Sequence, residues 1–169
     1  RSIILVLGLF FCWVGDVLLI FEGKPFFLGG LAAFLTGHLF YIFTYRQHRY
    51  DDLSNGLLVP PKIRFSLPIV LVGTGTFVVL LPPLEDLMVP VLFYSIVITV
   101  MTMTALFRYG LTSARSFWLV FTGAVVFMTS DTILAFNMLL GPLPMAGFWI
   151  MVTYITAQFL IVEGIRRHA

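Results

Sequence analysis

Six long apolar stretches, separated by shorter polar segments, account for most of the chain. Each stretch is continuously apolar rather than alternating between apolar and polar positions, which favours helices over the strands of a membrane barrel. About 20 apolar residues in a helix cross the roughly 30 Å hydrocarbon core of a bilayer. The pattern therefore predicts an all-α polytopic transmembrane bundle with six spans, at residues 3–21, 26–45, 67–81, 87–107, 117–136 and 146–165.

Turn-forming residues separate the two members of each successive pair of spans. Residues 46–66, between the second and third spans, form the only long polar connection, and we interpret them as a cytoplasmic loop. The third span is the shortest, and Gly73 and Gly75 lower its helical propensity. The short connections contain Gly23 and Pro25, then Pro82 and Pro83, then Gly141, Pro142 and Pro144.

The composition excludes a soluble domain. The chain is 60% hydrophobic and 11% charged, and a soluble domain of 169 residues could not bury that much apolar surface. We therefore expect one transmembrane domain over residues 1–169, surrounded by a lipid bilayer and without a nucleic-acid partner. The single cysteine, Cys12, allows no disulfide within the chain. Because Arg1 already stands at the edge of a span, we expect the chain to be part of a longer protein.

The cations are distributed unequally between the two sides that the spans define. With a cytoplasmic N-terminus, nine of the ten Lys and Arg residues lie on the cytoplasmic side and Lys24 alone lies on the other. Such an excess in cytoplasmic loops orients membrane proteins. We therefore predict an integral multi-pass protein with both termini in the cytoplasm, in a bacterial inner membrane or the endoplasmic reticulum. The nine residues are Arg1, Arg46, Arg49, Lys62, Arg64, Arg108, Arg115, Arg166 and Arg167.

Two aspartates lie inside predicted spans, where a carboxylate is costly and therefore indicates function. Asp16 stands in the run LGLFFCWVGDVLLIF and Asp131 in the run GAVVFMTSDTILAF. Counted along each span at about 1.5 Å per residue, both acids lie at about 20 Å from the inner face. We expect the two spans to be neighbours, with both carboxylates and His38 facing one polar cavity. The alternative is that the aspartates are structural and hydrogen-bond helix ends or tyrosines.

The two aspartate-bearing segments also align as an internal repeat. Each has a glycine eight residues before the aspartate, and each is followed by a span that carries a polar residue. Both aspartate spans run in the same direction, so the repeat would be parallel. Two spans precede the second copy and none precedes the first, which predicts an eight-helix fold of which this chain carries six. The matched residues are Gly8 and Gly123, Asp16 and Asp131, and His38 and Gln158.

Other polar residues share helix faces with these groups, because residues three, four or seven apart lie on one face. We predict Asp16, Asp131 and His38 as catalytic residues, with no cofactor and no metal. Two of the three histidines lie in cytoplasmic segments, so too few remain for a three-His zinc site. His38 could instead be an interior hydrogen-bonded histidine, Gln158 a contact between helices, and Arg108 an interfacial anchor or a phosphate contact. The predicted supporting residues are Gln158, Tyr154, Tyr41, Tyr94, Ser130 and Arg108.

Five motifs cover nearly the whole chain, in the order GLFFCWVGDVLLIF, FLGGLAAFLTGHLFYIF, YSIVITVMTMTALFR, GAVVFMTSDTILAF and YITAQFLIV. In this order they resemble the motifs of the YhhN family, which contains the lysoplasmalogenases. Members typically carry two further spans and a Lys-Pro motif before these segments, and this chain lacks them. The resemblance implies a membrane-embedded ether hydrolase. Its substrate would be lysoplasmalogen, an ether lysophospholipid, whose vinyl ether bond is cleaved to a fatty aldehyde and a glycerophospho-alcohol.

The implied chemistry suits a pair of carboxyl groups. Cleavage begins with protonation of the vinyl ether β-carbon, and water then captures the oxocarbenium ion. One group must donate a proton and another must activate water, as in the two-carboxylate cleavage of glycosides. Burial and a second nearby acid both favour the protonated form of a carboxylic acid. The alternatives are a small transporter or proton-coupled carrier that uses the paired aspartates, and a non-catalytic membrane scaffold.

Overall fold

A computed structural model describes residues 2–50 and 54–168, with Ser2 described by its backbone only. All regular structure in this part of the chain is helical, which confirms the all-α prediction. Arg1 and residues 51–53 of the predicted loop lie outside the described residues. The six α-helices are α1 (Ser2–Leu19), α2 (Lys24–Gln47), α3 (Val59–Leu84), α4 (Met88–Leu106), α5 (Ala114–Leu139) and α6 (Ala146–Arg166), with a short 3₁₀ turn at Glu85–Leu87.

The lengths and compositions of the helices are those of a multi-pass membrane protein. Four stretches in the described part of the chain are long and apolar enough to cross a bilayer, and α1 is a shorter apolar helix. One stretch, Val59–Leu106, is 48 residues long because it joins α3, the 3₁₀ turn and α4. The other three stretches are Lys24–Gln47, Ala114–Leu139 and Ala146–Arg166.

The third helix differs most from its predicted bounds. It begins at Val59 rather than at residue 67, so much of the predicted 46–66 loop is helical. Prolines lie at the first helical positions after Leu58, where their missing N–H groups would have no partner in any case. Pro82 and Pro83, interpreted as turn residues, lie in the last turn of α3, and the chain leaves the helix at Glu85 with a φ of 39°.

Two tightly packed helix pairs, α1 with α2 and α5 with α6, form the two sides of the bundle. Glycines make the close approach possible in both pairs. A Cβ atom added to Gly8 would lie 2.8 Å from the Tyr41 ring, and one added to Gly123 would lie 2.9 Å from Ile161. These separations are too short for a real side chain, so each glycine fixes the distance between its two helices.

The two pairs are joined by α4, which packs against both α2 and α5, while α3 lies outside α4. Among the described residues, α1 and α5 make no extended contact. The expectation that the two aspartate-bearing helices are direct neighbours is therefore wrong. Large rings fill the space between the pairs instead: the Tyr154 ring of α6 meets Phe34 of α2 at 6.2 Å and Phe127 of α5 at 5.4 Å, centroid to centroid.

Candidate functional site

Asp131 on α5 is the centre of the polar site, and three helices contribute to its surroundings. The side chain is buried, and Tyr94 of α4 donates its hydroxyl hydrogen to Oδ2. Nε2 of His38, on α2, lies 3.8 Å from the same Oδ2 atom. The helices α2, α4 and α5 therefore bring a histidine, a tyrosine and an aspartate together from segments that are far apart in the sequence.

His38 is completely buried and is held by aromatic rings. Its imidazole meets the Tyr94 ring at 5.4 Å and the Phe127 ring at 4.9 Å, both in edge-to-face geometry. Neither ring nitrogen has a hydrogen-bond partner among the described residues. The packing fixes the plane of the imidazole, so its Nε2 edge stays directed towards Asp131.

Asp16 on α1 lies at the border of this site. It is half-buried, and its carboxyl group interacts with the Tyr154 hydroxyl of α6. Asp131 and Asp16 are close enough to interact electrostatically, although other helices separate their backbones. The two predicted acids are thus coupled, but each has its own tyrosine partner.

A second polar contact crosses the space between the helix pairs. Tyr41 of α2 donates a hydrogen bond to Oε1 of Gln158 on α6. Cys12 of α1 is fully buried beside both side chains. The lone cysteine gave no functional signal in the sequence, because its neighbours come from other helices. Ser130, also predicted, donates to the carbonyl of Ile150 and so joins α5 to α6.

Arg108 lies just after α4, at the opposite end of the bundle from Lys24, and it is only 1% exposed. Its Nη2 atom donates to the carbonyl of His48 at 2.9 Å and to Ser116 at 3.0 Å. Burial lowers the pKa of this guanidinium to about 10, so it stays charged at neutral pH. The interpretation of Arg108 as an interfacial anchor is therefore wrong: the side chain closes this end of the bundle from inside.

A mostly apolar cleft reaches Asp131 between α2, α3, α4 and α5. Its cavity volume is about 60 Å³. Polar side chains of Tyr94, Ser95 and Thr132 lie beside Asp131 in the wall. The sequence did not single out Ser95 or Thr132, because a hydroxyl side chain in a membrane helix usually bonds its own backbone. The apolar lining includes Phe27, Leu31, Phe34, Leu80, Val91 and Ile98.

The cleft continues towards a charged mouth at the Lys24 end of the bundle. A neighbouring pocket shares Leu19, Phe27 and Leu139 with the cleft. Lys24, at the start of α2, donates a 2.9 Å hydrogen bond to Asp86 of the 3₁₀ turn. The ammonium group lowers the pKa of the Asp86 carboxyl group by this hydrogen bond and by its charge. A charged mouth above an apolar cleft is a suitable shape for an amphiphile.

These features define a multi-pass membrane protein with a buried carboxyl, imidazole and phenol cluster at the wall of an apolar cleft. The sequence profile of the YhhN family matches residues 1–165. The chain belongs to the YhhN family, and the resemblance seen in the motifs is confirmed. No solved structure matches the chain.

Several mammalian lysoplasmalogenases are similar to this chain. Lysoplasmalogenase TMEM86B of Homo sapiens is 33% identical over 150 residues, which are 88% of this chain and 57% of that protein. Lysoplasmalogenase TMEM86B of Sus scrofa is 36% identical over 148 residues, again 88% and 57% of the two proteins. Lysoplasmalogenase TMEM86A of Bos taurus is 28% identical over 158 residues, 91% of this chain and 61% of that protein. The chain thus spans about three fifths of the length of these relatives.

Proposed function

We propose that the protein is a membrane-embedded hydrolase that cleaves the vinyl ether bond of a lysoplasmalogen. The observation that carries this proposal is a buried carboxyl group, Asp131, at the wall of an apolar cleft that ends in a charged mouth. The names of the similar lysoplasmalogenases support the same reaction. Because the chain covers only part of those relatives, the activity is proposed for the whole protein.

The apolar lining of the cleft and its charged mouth suit a lysophospholipid with its polar head group at the Lys24 end. Leu139, which lines both the cleft and the mouth, is eight residues above Asp131, or about 12 Å along α5. An extended glycerophosphate places its phosphorus about 9 Å from the vinyl β-carbon, counting seven covalent bonds. We therefore place the vinyl ether beside Asp131 and the phosphate near Lys24, with the hydrocarbon chain leaving sideways between helices into lipid.

The reaction can proceed with one carboxyl group in two roles. Protonated Asp131 gives its proton to the vinyl β-carbon, which forms a C–H bond and leaves an oxocarbenium ion. The resulting carboxylate stabilises that cation and accepts a proton from the attacking water, whose oxygen bonds to the α-carbon. The hemiacetal then breaks its C–O bond and releases a fatty aldehyde and a glycerophospho-alcohol. One water is consumed, and the proton returns to Asp131.

The neighbouring groups support this cycle. Asp16 interacts electrostatically with Asp131, and as a carboxylate it would stabilise the cationic transition state. Tyr94 fixes one carboxylate oxygen through its hydrogen bond. His38 lies close enough to orient the same oxygen or to shuttle a proton. Tyr154 holds Asp16, and Tyr41 with Gln158 supports the interior next to Cys12.

The test is aldehyde release from a vinyl ether lysolipid by the full-length protein and its Asp131→Asn and Asp16→Asn variants. Loss of a general acid–base group typically lowers the rate by about 10²–10⁴-fold. We expect Asp131→Asn to lower kcat by this amount with little change in KM, because the contact acts in the transition state. Asp16→Asn should lower kcat less, because Asp16 acts through its charge.

A carboxylate far from the cleft and its mouth provides the matched control. Glu163→Gln, near the end of α6, also converts an acid to an amide and should leave kcat nearly unchanged. The rate should also fall in heavy water, since carbon protonation is the expected slow step. The proposal fails if folded Asp131→Asn protein releases aldehyde at the normal rate, or if the unmodified protein releases none.

We further propose six membrane spans in this chain and an eight-helix fold with an internal parallel repeat. The packing within the two helix pairs supports the repeat. When His38 is aligned with Gln158, the residues that approach the two matched glycines also align. Both pairs thus pack in one register, as two copies of one unit would. The matched contacts are Gly8 against Gly37 and Tyr41, and Gly123 against Ala157 and Ile161.

A further inference from the structure

Several buried polar atoms of the interior have no hydrogen-bond partner among the described residues. An unpaired buried donor or acceptor costs about 1–3 kcal/mol, so native proteins pair such atoms with protein groups or with ordered water. Here the atoms belong to side chains that are themselves close together rather than scattered. The atoms are Nδ1 and Nε2 of His38, the Tyr45 hydroxyl, Nη1 of Arg108 and Nε2 of Gln158.

Two of these side chains, His38 and Tyr45, lie on one face of α2. His38, Tyr41, Tyr45 and His48 succeed each other at intervals of three or four residues, which places them on a single stripe of the helix. The first three are completely buried. From His38 to His48 the stripe rises by about 15 Å, from the Asp131 site to the end of the bundle that Arg108 closes.

The contacts along the stripe link its members in order. Tyr41 contacts Gln158 near the His38 end of the stripe, and the Tyr41 and Tyr45 rings stack at 6.2 Å between centroids, with 8° between their planes. Tyr45 interacts electrostatically with Arg108. Successive hydroxyl groups four residues apart are separated by about 6 Å along a helix, which is a gap that one bridging water can span.

We propose that the groups from Arg108 through Tyr45 and Tyr41 to His38 bind a chain of ordered waters that supplies the water consumed at Asp131. The inference rests on the proposed hydrolysis for its catalytic role, although the waters can be detected without any reaction. Ordered water is the partner that satisfies all of these atoms, because it both donates and accepts hydrogen bonds.

A separate water route suits the reaction because the cleft on the other side of Asp131 is apolar. A lysolipid in the cleft would displace water from that side, yet each turnover needs one water. The chain of waters from the Arg108 end would deliver this water molecule to the Asp131 carboxylate without passing through the space that the lipid tail occupies. Arg108 remains charged and fixed by His48 and Ser116, so it would hold the last waters of this chain.

The first test is X-ray hydroxyl-radical footprinting of the full-length protein in ¹⁸O-labelled water, read by mass spectrometry. Side chains beside bound water incorporate labelled oxygen quickly even when they are buried. We expect Tyr41 and Tyr45 to be labelled at least about tenfold faster than Phe117, after normalisation to unfolded protein. Phe117 is a suitable control because it is also buried and packs against Tyr109 and Phe121 rather than against the stripe. Equal labelling of the three rings would overturn the water chain, whatever the enzyme assay shows.

The second test is Tyr45→Phe, which removes one hydroxyl and keeps the ring. We expect kcat for aldehyde release to fall by about tenfold and KM to change by less than about twofold, because water delivery follows substrate binding. Tyr109→Phe, on an exposed ring, is the matched control and should have no effect. A merely structural role of Tyr45 would lower the melting temperature without the selective loss of kcat. Unchanged kcat in folded Tyr45→Phe protein would overturn the supply of water by this route.

Discussion

At the residue scale, two neighbouring side chains contact the same oxygen of the Asp131 carboxyl group. Tyr94 donates to Oδ2, and His38 faces the same atom at 3.8 Å. One carboxylate oxygen is therefore held by the protein, and in the proposed reaction the other oxygen would meet the substrate. Residues that contact a catalytic acid in this way typically hold it in the orientation that the reaction needs and do not themselves react.

Replacing Tyr94 by phenylalanine tests this role of its hydroxyl group. The variant keeps the aromatic contact with His38 and loses only the hydroxyl that donates to Asp131. We expect kcat for aldehyde release to fall by about tenfold, less than the roughly 10²–10⁴-fold loss for the acid itself. Steady-state kinetics of the full-length protein in detergent would measure the difference. A loss as large as that of Asp131→Asn would instead place the Tyr94 hydroxyl among the reacting groups.

At the element scale, glycines decide how closely the helices of each pair approach. A Cβ atom on Gly123 would lie 3.1 Å from the carbonyl oxygen of Ala157 as well as close to Ile161. Backbone atoms cannot move aside as a flexible side chain can. The contact explains why α5 and α6 pack along most of their length, and why the Ser130 hydroxyl can reach the carbonyl of Ile150.

Two glycine substitutions with different expected effects on the free energy of unfolding test the role of this contact. Gly123→Ala should lower the free energy of unfolding by about 1–3 kcal/mol, because the added methyl overpacks the α5–α6 interface. Gly75→Ala, in the exposed interior of α3 with no atom within 4 Å of the added Cβ, should be neutral or stabilise by up to about 1 kcal/mol. Thermal unfolding in detergent, followed by circular dichroism, would compare the two. Equal effects of the two changes would contradict the packing argument.

At the scale of the whole molecule, the two ends of the bundle differ in charge. The end with Lys24 also carries Glu22, Glu85 and Asp86, whereas most of the other cations lie at the end that Arg108 closes. An excess of Lys and Arg favours the cytoplasmic side. We therefore propose that the N-terminus of α1 faces the cytoplasm and that the charged mouth of the cleft faces the opposite side.

Cysteine labelling tests this orientation. Ser54→Cys and Glu22→Cys place single exposed thiols at opposite ends, and the native Cys12 is fully buried. A membrane-impermeant maleimide added to intact cells should label Glu22→Cys and leave Ser54→Cys unlabelled until the membrane is permeabilised. Labelling of Ser54→Cys alone from outside would reverse the predicted topology.

Sequence reasoning identified the residues of the site more successfully than their arrangement. Asp131, His38 and Tyr94 were all singled out, because polar groups inside apolar runs are costly and conspicuous. Their meeting at one oxygen was not predicted, because Tyr94 and His38 lie on different helices. Arg108 and Tyr94 were both predicted as supporting residues on one helix, yet Arg108 lies at the far end of the bundle and contacts His48. The spacing of residues along a helix shows which side of the helix they share, but it does not show that they contribute to the same site.

The sequence by itself determined the helical class, the membrane environment and the family, because these follow from the length and continuity of apolar runs and from the order of local motifs. The tertiary structure alone decided which polar groups meet. Equal depth of Asp16 and Asp131 suggested neighbouring helices, but α4 and the Tyr154 ring connect the two helix pairs, and α1 and α5 make no extended contact among the described residues. The physical reason is that periodicity describes one helix at a time, whereas the spacing between helices depends on the side-chain volumes that meet across each interface.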